Sequence, residues 1–257
     1  MQTFISADRR RMYGDLAWIW PIISPPEEYV EETEEYIRLI KEHARIPVGK
    51  VLNLGCGGGH NDYTLARYFD VTGVDISPDM LALARELNPQ VTYVSGDMRS
   101  VRLGQGFDAV TVFDSITYMR TAESLKAAFL TAFSHLRPGG VFVTTVEESK
   151  ETFVQNHTRH LTRKRGEVEI TLVENDYDPN PDDTCIEANF IYLIRRRGEL
   201  TLETDCHLLG LFEMKTWIDT MMAAGLEVFT RKSETADPEG RFFPIVIGLK
   251  PVAHTHD

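Results

Sequence analysis

The 257-residue sequence predicts an α/β fold: a doubly wound, mostly parallel seven-stranded sheet with an inserted antiparallel β lid. Three observations predict it. From Val51 onward, short apolar runs alternate with glycine punctuation and helical patterns, which is how a parallel sheet with crossover helices reads. After Val146 that alternation stops and longer extended stretches take over. A helical pattern and two further apolar runs then complete the count of seven.

Taken in order, Ser24-Pro25-Pro26-Glu27 offers a capping residue, a first-turn proline and a capping-box glutamate. A helix should follow, with Tyr29, Val30, Thr33, Ile37, Ile40 and Ala44 on its apolar stripe and Pro47 ending it. Five strands are expected at 51–54, 71–74, 91–95, 107–113 and 141–146. Ser77-Pro78 opens a helix carrying Met80, Leu81, Ala84 and Leu87, and Thr121 opens another carrying Leu125, Ala128, Phe129, Ala132, Phe133 and Leu136. Pro138-Gly139-Gly140 turns the chain into the fifth strand. Stretches 167–177, 185–196 and 200–211 read as an antiparallel meander, with turn formers at 178–183 and a tight connection at 197–199. A helix with Trp217, Ile218, Met221 and Met222 ends at Gly225, and strands 226–230 and 242–249 finish the chain. No internal repeat or low-complexity linker appears, so residues 1–257 form one domain. Its expected parts are a helical cap (1–46), a core (47–146), the lid (147–212) and a C-terminal helix with a strand pair (213–257).

Composition narrows the partners. A formal charge of -12, from 39 acidic against 27 basic side chains, repels a polyanion, so no nucleic-acid partner is expected. The densest basic run, 159–165, lacks the aromatic interleaving that stacks bases and reads as a solvated face. Cys56, Cys185 and Cys206 are odd in number and widely spaced, which favours a reducing compartment over a disulfide framework or a zinc site. No apolar run is long enough for a signal peptide or a membrane span, so a cytoplasmic protein is expected.

The chemistry concentrates at strand ends. Val51-Leu52-Asn53-Leu54-Gly55-Cys56-Gly57-Gly58-Gly59-His60 is a buried strand running into a glycine-rich turn and a helix. Glycines suit a tight turn that a ligand approaches closely. A dinucleotide fingerprint would need glycine where His60 stands, which disfavours a nicotinamide oxidoreductase. The second strand ends at Asp75, 20 positions after Gly55 (75 minus 55), where a carboxylate can accept both hydrogen bonds of a ribose diol. Asp75 could equally cap the following turn. The third strand ends in Gly96-Asp97-Met98, where an acceptor for an adenine amino group is flanked by Met98 or Ile76. Three successive strand ends thus suit an adenosyl group.

On those residues, 51–146 resembles the class I S-adenosylmethionine-dependent methyltransferases, a Rossmann-like fold. The motifs VLNLGCGGG, VTGVDISPDML, GDMRSVRLGQGFDAV and LRPGG carry the likeness. Within that class the chain is most similar to bacterial N,N-dimethyltransferases of nucleotide-linked amino sugars. This likeness extends to Met12-Tyr13-Gly14-Asp15-Leu16, to the insertion, to the segment 205–212 and to Gly240-Arg241-Phe242-Phe243. The resemblance implies S-adenosylmethionine as cofactor, with Gly55 and Gly57 beside its methionine portion and Asp75 on the ribose. It further implies Asp97 and Met98 framing the adenine, Phe113 at the rim and Tyr13 folding over the cofactor, with Cys56, Ile76 and Met80 also expected among the cofactor-binding residues. Asn53 departs from the acidic residue usual there, although its amide oxygen can still accept a hydrogen bond.

Methyl transfer from a sulfonium needs alignment more than covalent catalysis. An amine nucleophile must be neutral when it attacks, so a nearby proton acceptor helps. Tyr118, in the loop after the fourth strand, is the leading candidate for orienting the substrate or relaying its proton. Packing on the following helix is the competing role. Tyr13 joins it as a catalytic candidate, His207 and Glu213 are weaker candidates from the lid side, and His157 and His160 are read as surface residues. Trp18, Ile19 and Trp20 should either close the pocket with Tyr13 or pack in the core. No metal site is expected. The function expected is methylation of a small-molecule acceptor, an amine of the amino-sugar kind. O-methylation of a hydroxylated metabolite is the nearest alternative, ahead of an NAD-dependent oxidoreductase or a non-catalytic nucleotide-binding protein. A homodimer stands as one option for its assembly.

Overall fold

The computed structural model describes residues 8–237 and 239–252; the first seven residues, which entered the signal-peptide reading, lie outside them. Five parallel strands form the centre of the main sheet: β1 (Lys50–Leu54), β2 (Asp70–Asp75), β3 (Thr92–Ser95), β4 (Phe107–Val112) and β5 (Leu136–Thr145). A separate antiparallel sheet follows, of β6 (His157–Arg165), β7 (Val168–Tyr177), β8 (Cys185–Arg196) and β9 (Glu199–Gly210). The chain then returns to the main sheet with β10 (Glu227–Lys232) and β11 (Pro244–Leu249), giving the order β10-β11-β5-β4-β1-β2-β3. Both late strands run antiparallel to their neighbours. Strand order reverses between β1 and β4, and in an open α/β sheet the ligand crevice lies at the carboxyl ends of such a switch point.

Among the described residues six α-helices surround these sheets: α1 (Trp20–Ile23), α2 (Val30–His43), α3 (His60–Leu65), α4 (Pro78–Leu87), α5 (Ala122–His135) and α6 (Met214–Ala223). Alternation along the strands divides the core. Leu52, Leu54, Val110 and Phe142 meet Phe129 of α5 and Trp217 of α6 on one face. Val51, Val71, Ala109 and Val143 meet Tyr36 and Ile40 of α2 and Leu81 of α4 on the other. Burial on both faces explains why these strands read as nearly continuous apolar runs. Tyr36 matters for the site: its ring stacks on Phe113 at 4.3 Å, and its hydroxyl bonds Thr145 Oγ1 at 2.6 Å. These contacts pin α2 over the ends of β4 and β5.

The lid sheet carries the third core. Directly opposed residues of an antiparallel ladder share a face, and the register puts His157, Asp176, Ala188 and His207 in one row and Arg159, Glu174, Phe190 and Asp205 in the next. The following rows turn apolar: Leu172 and Tyr192, then Ile170 and Ile194, pack on Met12, Leu16, Ile19 and Ile23. One face of the lid is thus greasy over the N-terminal segment and polar towards His157 and His207.

Several expectations need correction. The basic run 159–165 belongs to the edge strand β6, which the sequence did not mark as a strand: Lys164 and Arg165 stay exposed, while Arg159 donates to Glu174 at 2.7 Å and Asp176 at 2.9 Å. It pairs by charge, so no apolar alternation marks it. Ser24 caps no helix; it follows α1, and its hydroxyl meets the Tyr29 hydroxyl at 2.7 Å. A 3₁₀ turn at Pro26–Tyr29 leads into α2, which stops at His43, four residues before Pro47. β5 starts early, at Leu136, so Pro138-Gly139-Gly140 is an irregularity inside the strand rather than the turn before it.

Candidate active site

The glycine turn after β1 opens the site. Gly55 has φ +71°, and a Cβ there would lie 2.1 Å from Ser115 Oγ and 2.6 Å from Met98 Cε. Only glycine fits both the left-handed backbone and the closeness of the β4 loop. Beside the turn lies a cavity of about 570 Å³ at the carboxyl ends of β1, β2, β3 and β4.

Of the residues singled out from sequence, Tyr13, Gly55, Cys56, Gly57, Asp75, Ile76, Met80, Asp97, Met98, Phe113 and Tyr118 all line that cavity. Asn53 does not. It is buried under the loop, donating to Asp62 Oδ1 at 2.8 Å and accepting from Thr111 at 3.3 Å, so both ends of its amide are spent inside the protein. Asp62, unmarked in the sequence reading, is the carboxyl that belongs with it. Burial raises its pKa from 3.8 to about 6 against the opposing hydrogen bond from Asn53.

Asp75 accepts from the Gly57 N–H and the Ser77 N–H, each at 2.8 Å, one on each oxygen. A carboxylate has about four acceptor sites, so both oxygens keep room for a ligand hydroxyl. Its pKa is raised by burial in spite of these backbone bonds. Ile76 beside it lines the cavity and is 65% exposed. Asp97 is gripped by Arg99, whose Nε lies 2.9 Å and 3.0 Å from its two oxygens. The Arg99 side chain is the first cause holding that carboxyl below its usual pKa.

The N-terminal segment closes one wall. Ser77 Oγ donates to the Tyr13 carbonyl at 2.5 Å while accepting from Met80 N–H at 3.1 Å, so one hydroxyl both caps α4 and ties down Tyr13. The tryptophan cluster divides: Trp20 lines the cavity, Ile19 enters the lid core, and Trp18 is exposed beneath the Arg196 guanidinium. Trp20 stacks on His60 at 5.7 Å. Trp20 Nε1 and His60 Nδ1 are buried without a hydrogen-bond partner among the described residues, and both residues line the cavity. Burial pushes the His60 pKa down to about 4, so the ring is neutral.

The three catalytic candidates come together. Tyr118 donates to the Tyr13 hydroxyl at 2.9 Å and meets His207 Nδ1 at 2.7 Å. His207 Nε2 lies 2.9 Å from Asp205 Oδ2, which also accepts from the Met12 N–H at 2.9 Å. Burial raises the Asp205 pKa, but the hydrogen bonds from His207 and the backbone outweigh it and hold the carboxyl below its usual range. Burial, then the neighbouring Tyr13, drives the Tyr118 phenol well above its ordinary pKa. Asp205 carried a signal the sequence reading passed over: Asp-x-His within a strand puts both side chains on one face. Glu213 is exposed at the start of α6, and His157 pairs with Glu239 at 3.3 Å. Among the described residues no three His, Cys, Asp or Glu side chains gather as a metal site would require.

Comparison with known proteins agrees with this arrangement. Residues 51–140 match a family model described as a methyltransferase domain. The chain is 32% identical over 206 residues to dTDP-3-amino-3,4,6-trideoxy-alpha-D-glucopyranose N,N-dimethyltransferase of Streptomyces venezuelae, covering 79% of this chain and 85% of that one. It is 30% identical over 219 residues to dTDP-3-amino-3,6-dideoxy-alpha-D-glucopyranose N,N-dimethyltransferase of Streptomyces fradiae, covering 84% and 85%. The crystal structure of Streptomyces venezuelae DesVI superposes with a TM-score of 0.79 at 26% identity over 96% of this chain and all of that one. That of S-adenosylmethionine-bound CalS10, an amino pentose methyltransferase from Micromonospora echinaspora, gives 0.76 at 25% identity over 86% and 91%.

Proposed function

Because the chain belongs to the S-adenosylmethionine-dependent methyltransferases, we propose that its cavity holds the donor at the strand ends and an amino-sugar acceptor beneath the lid. The reaction, methylation of an amine-bearing small molecule, follows from that membership. No described helix is long and apolar enough to cross a membrane. A cytoplasmic location without nucleic-acid partners is the reading that the charge of -12 and the three free cysteines support. Exposed Leu200 and Leu202 on β9 favour a homodimer.

The residues present suit the donor. Asp75 with free acceptor sites would take the ribose hydroxyls, and exposed Ile76 with Met98 would cover the adenine. The orphaned Trp20 Nε1 and His60 Nδ1 offer polar contacts at the glycine turn, the end assigned to the methionine portion. When bound, the donor supplies a methyl carbon already activated by its sulfonium. What remains for the protein is alignment and proton removal.

The observation that carries the reading is the chain of hydrogen bonds Tyr13, Tyr118, His207, Asp205 ending at the cavity wall. With the Tyr118 proton turned from Tyr13 to His207 Nδ1, the Tyr13 hydroxyl would donate to Tyr118 and accept from the acceptor nitrogen; its own proton would then pass to Tyr118 as the Tyr118 proton passes to His207 Nδ1. Asp205 orients the ring through Nε2 and stabilises the charge that arrives. The site draws Tyr13 from the cap, Asp75 and Tyr118 from the core and His207 from the lid. That is why we treat 1–46, 47–146, 147–212 and 213–257 as parts of one unit. Incubation with methyl-labelled S-adenosylmethionine and a panel of free and nucleotide-linked amino sugars tests it: label should enter an amine. Label only on hydroxyl oxygen, or S-adenosylhomocysteine failing to bind, would refute it.

A further inference from the structure

The backbone at Arg10 is costly for any residue that carries a Cβ. Its φ is +49°, in the left-handed region that glycine occupies freely and other residues avoid. Two further non-glycine residues among those described share that region, Asn156 before β6 and Arg197 in the β8–β9 turn, and both are exposed. Arg10 instead lines the active-site cavity. The chain is anchored on either side of it: the Arg9 N–H donates to the Cys206 carbonyl of β9 at 3.0 Å, and the Met12 N–H to Asp205 Oδ2 at 2.9 Å. A non-glycine residue kept in such a conformation at a cavity wall points to a role for its side chain.

That side chain ends on the hydrogen-bonded chain of the site. The Arg10 guanidinium lies 4.6 Å from the centroid of the Tyr118 ring. Asp8 fixes it there, accepting from Nε at 2.9 Å and from Nη2 at 2.7 Å. Asp8 also faces Arg120 at 3.8 Å, so two guanidiniums share one carboxylate and leave a net positive charge on this side of Tyr118. The far end is arranged the other way: Asp205 bonds His207 Nε2, on the ring where positive charge would arrive. Between the two lies the Tyr118 phenol. If its proton leaves for His207 Nδ1 ahead of the proton coming from Tyr13, its oxygen carries negative charge, which burial makes expensive. Burial raises the Tyr118 pKa and the Arg10 charge works against that rise.

We infer that Arg10 is a positioning residue of the methyl transfer: its guanidinium, fixed over the Tyr118 ring, stabilises the negative charge that crosses the Tyr118 oxygen as protons move from Tyr13 towards His207. This rests on the proton path proposed above and deepens it. The acceptor's proton goes to the Tyr13 oxygen, the Tyr13 proton to Tyr118 and the Tyr118 proton to His207 Nδ1. Arg10 gains and loses none, and acts only through Tyr118. The fold alone would favour glycine at this position, and the arginine is retained for the charge it sets on the ring.

A double-mutant cycle on the full chain tests it, with kcat measured as transfer of labelled methyl from S-adenosylmethionine to the amino sugar that takes label in the panel above. Arg10→Met should lower kcat about tenfold and leave KM and the dissociation constant for S-adenosylhomocysteine unchanged. In the Tyr118→Phe background, which keeps the ring and lacks the hydroxyl, the same substitution should lower kcat by less than about twofold. Full kcat in Arg10→Met, a tenfold loss in both backgrounds, or a raised KM would each overturn the inference; the second would assign Arg10 to packing on the ring and the third to binding the acceptor. Melting temperature reads the backbone without any acceptor. Arg10→Gly should melt about 2–8 °C above Arg10→Ala, and equal or lower melting would also overturn the inference, by removing the strain from which a role for the side chain follows. Failure of the unaltered protein to bind S-adenosylhomocysteine, or of every acceptor to take label, would instead bring down the methyltransferase reading.

Discussion

Two side chains show how narrowly the chemistry is specified. Tyr118 is the middle of the hydrogen-bonded chain, touching Tyr13 on one side and His207 on the other. Tyr118→Phe keeps the ring beneath the Arg10 guanidinium, 4.6 Å from its centroid, but cuts the hydroxyl link between Tyr13 and His207. Positioned proton transfer contributes about 10²-fold or more, so kcat should fall by about that factor. The dissociation constant for S-adenosylhomocysteine should hardly change. A variant with full kcat would reduce the tyrosine to packing. Gly55→Ala should act on binding instead. Its Cβ would strike Ser115 and Met98 at a backbone angle that costs an L-residue about 1–2 kcal/mol, so melting temperature and donor affinity should drop together. Unaltered donor affinity in a folded Gly55→Ala protein would show that the turn does not cradle the ligand.

At the scale of elements, helix α5 carries the cavity-lining segment Thr121 and Ser124 directly behind the Asp114–Tyr118 turn. Its start is a reciprocal cap: Ser124 N–H donates to Thr121 Oγ1 at 3.1 Å, and Thr121 N–H to Ser124 Oγ at 3.0 Å. Thr121→Ala should cost about 1 kcal/mol, or a fall of about 2–4 °C in Tm for a chain of this size, measurable by differential scanning calorimetry. A fall within error would mean that tertiary packing alone holds the helix end. This start was legible from sequence, as were Ser77 over α4 and the strands that end at Asp75 and Gly96. Burial on both faces writes itself as unbroken apolar runs, and caps sit next to the helices they serve. β6 was illegible because His157–Arg165 pairs through Arg159 and its carboxylates, leaving no apolar period to read. Ser24 misled because Tyr29, five residues on, claimed the hydroxyl that local pattern reserved for a cap. The glycine turn and the Asp75 position needed only local spacing. The hydrogen-bonded chain of Tyr13, Tyr118, His207 and Asp205 depends on how the N-terminal segment, the β4 loop and the lid meet, which no local pattern records.

For the whole molecule, carboxyls held above their usual pKa should govern how stability varies with pH. Burial sets the pKa of Asp62 at about 6 and of Glu32 at about 8, and also raises those of Asp114 and Glu147. An acid whose value is higher folded than unfolded favours the protonated form in the fold. Its stabilising contribution is complete below the unfolded value, near 4, and is lost as pH rises through the folded value. Asp62, fully buried, is raised from 3.8 to about 6, which corresponds to on the order of 3 kcal/mol. Carboxyls held low, such as Asp205 and Asp108, work in the opposite direction and lose their contribution only under more acid conditions. Melting temperature should therefore peak on the acid side of neutrality and fall steadily between about pH 5 and pH 9. Asp62→Asn should flatten the part of that fall near pH 6 and Glu32→Gln the part near pH 8. A Tm constant across the range, or one rising towards pH 9, would mean that these groups are ionised and already compensated in the folded chain.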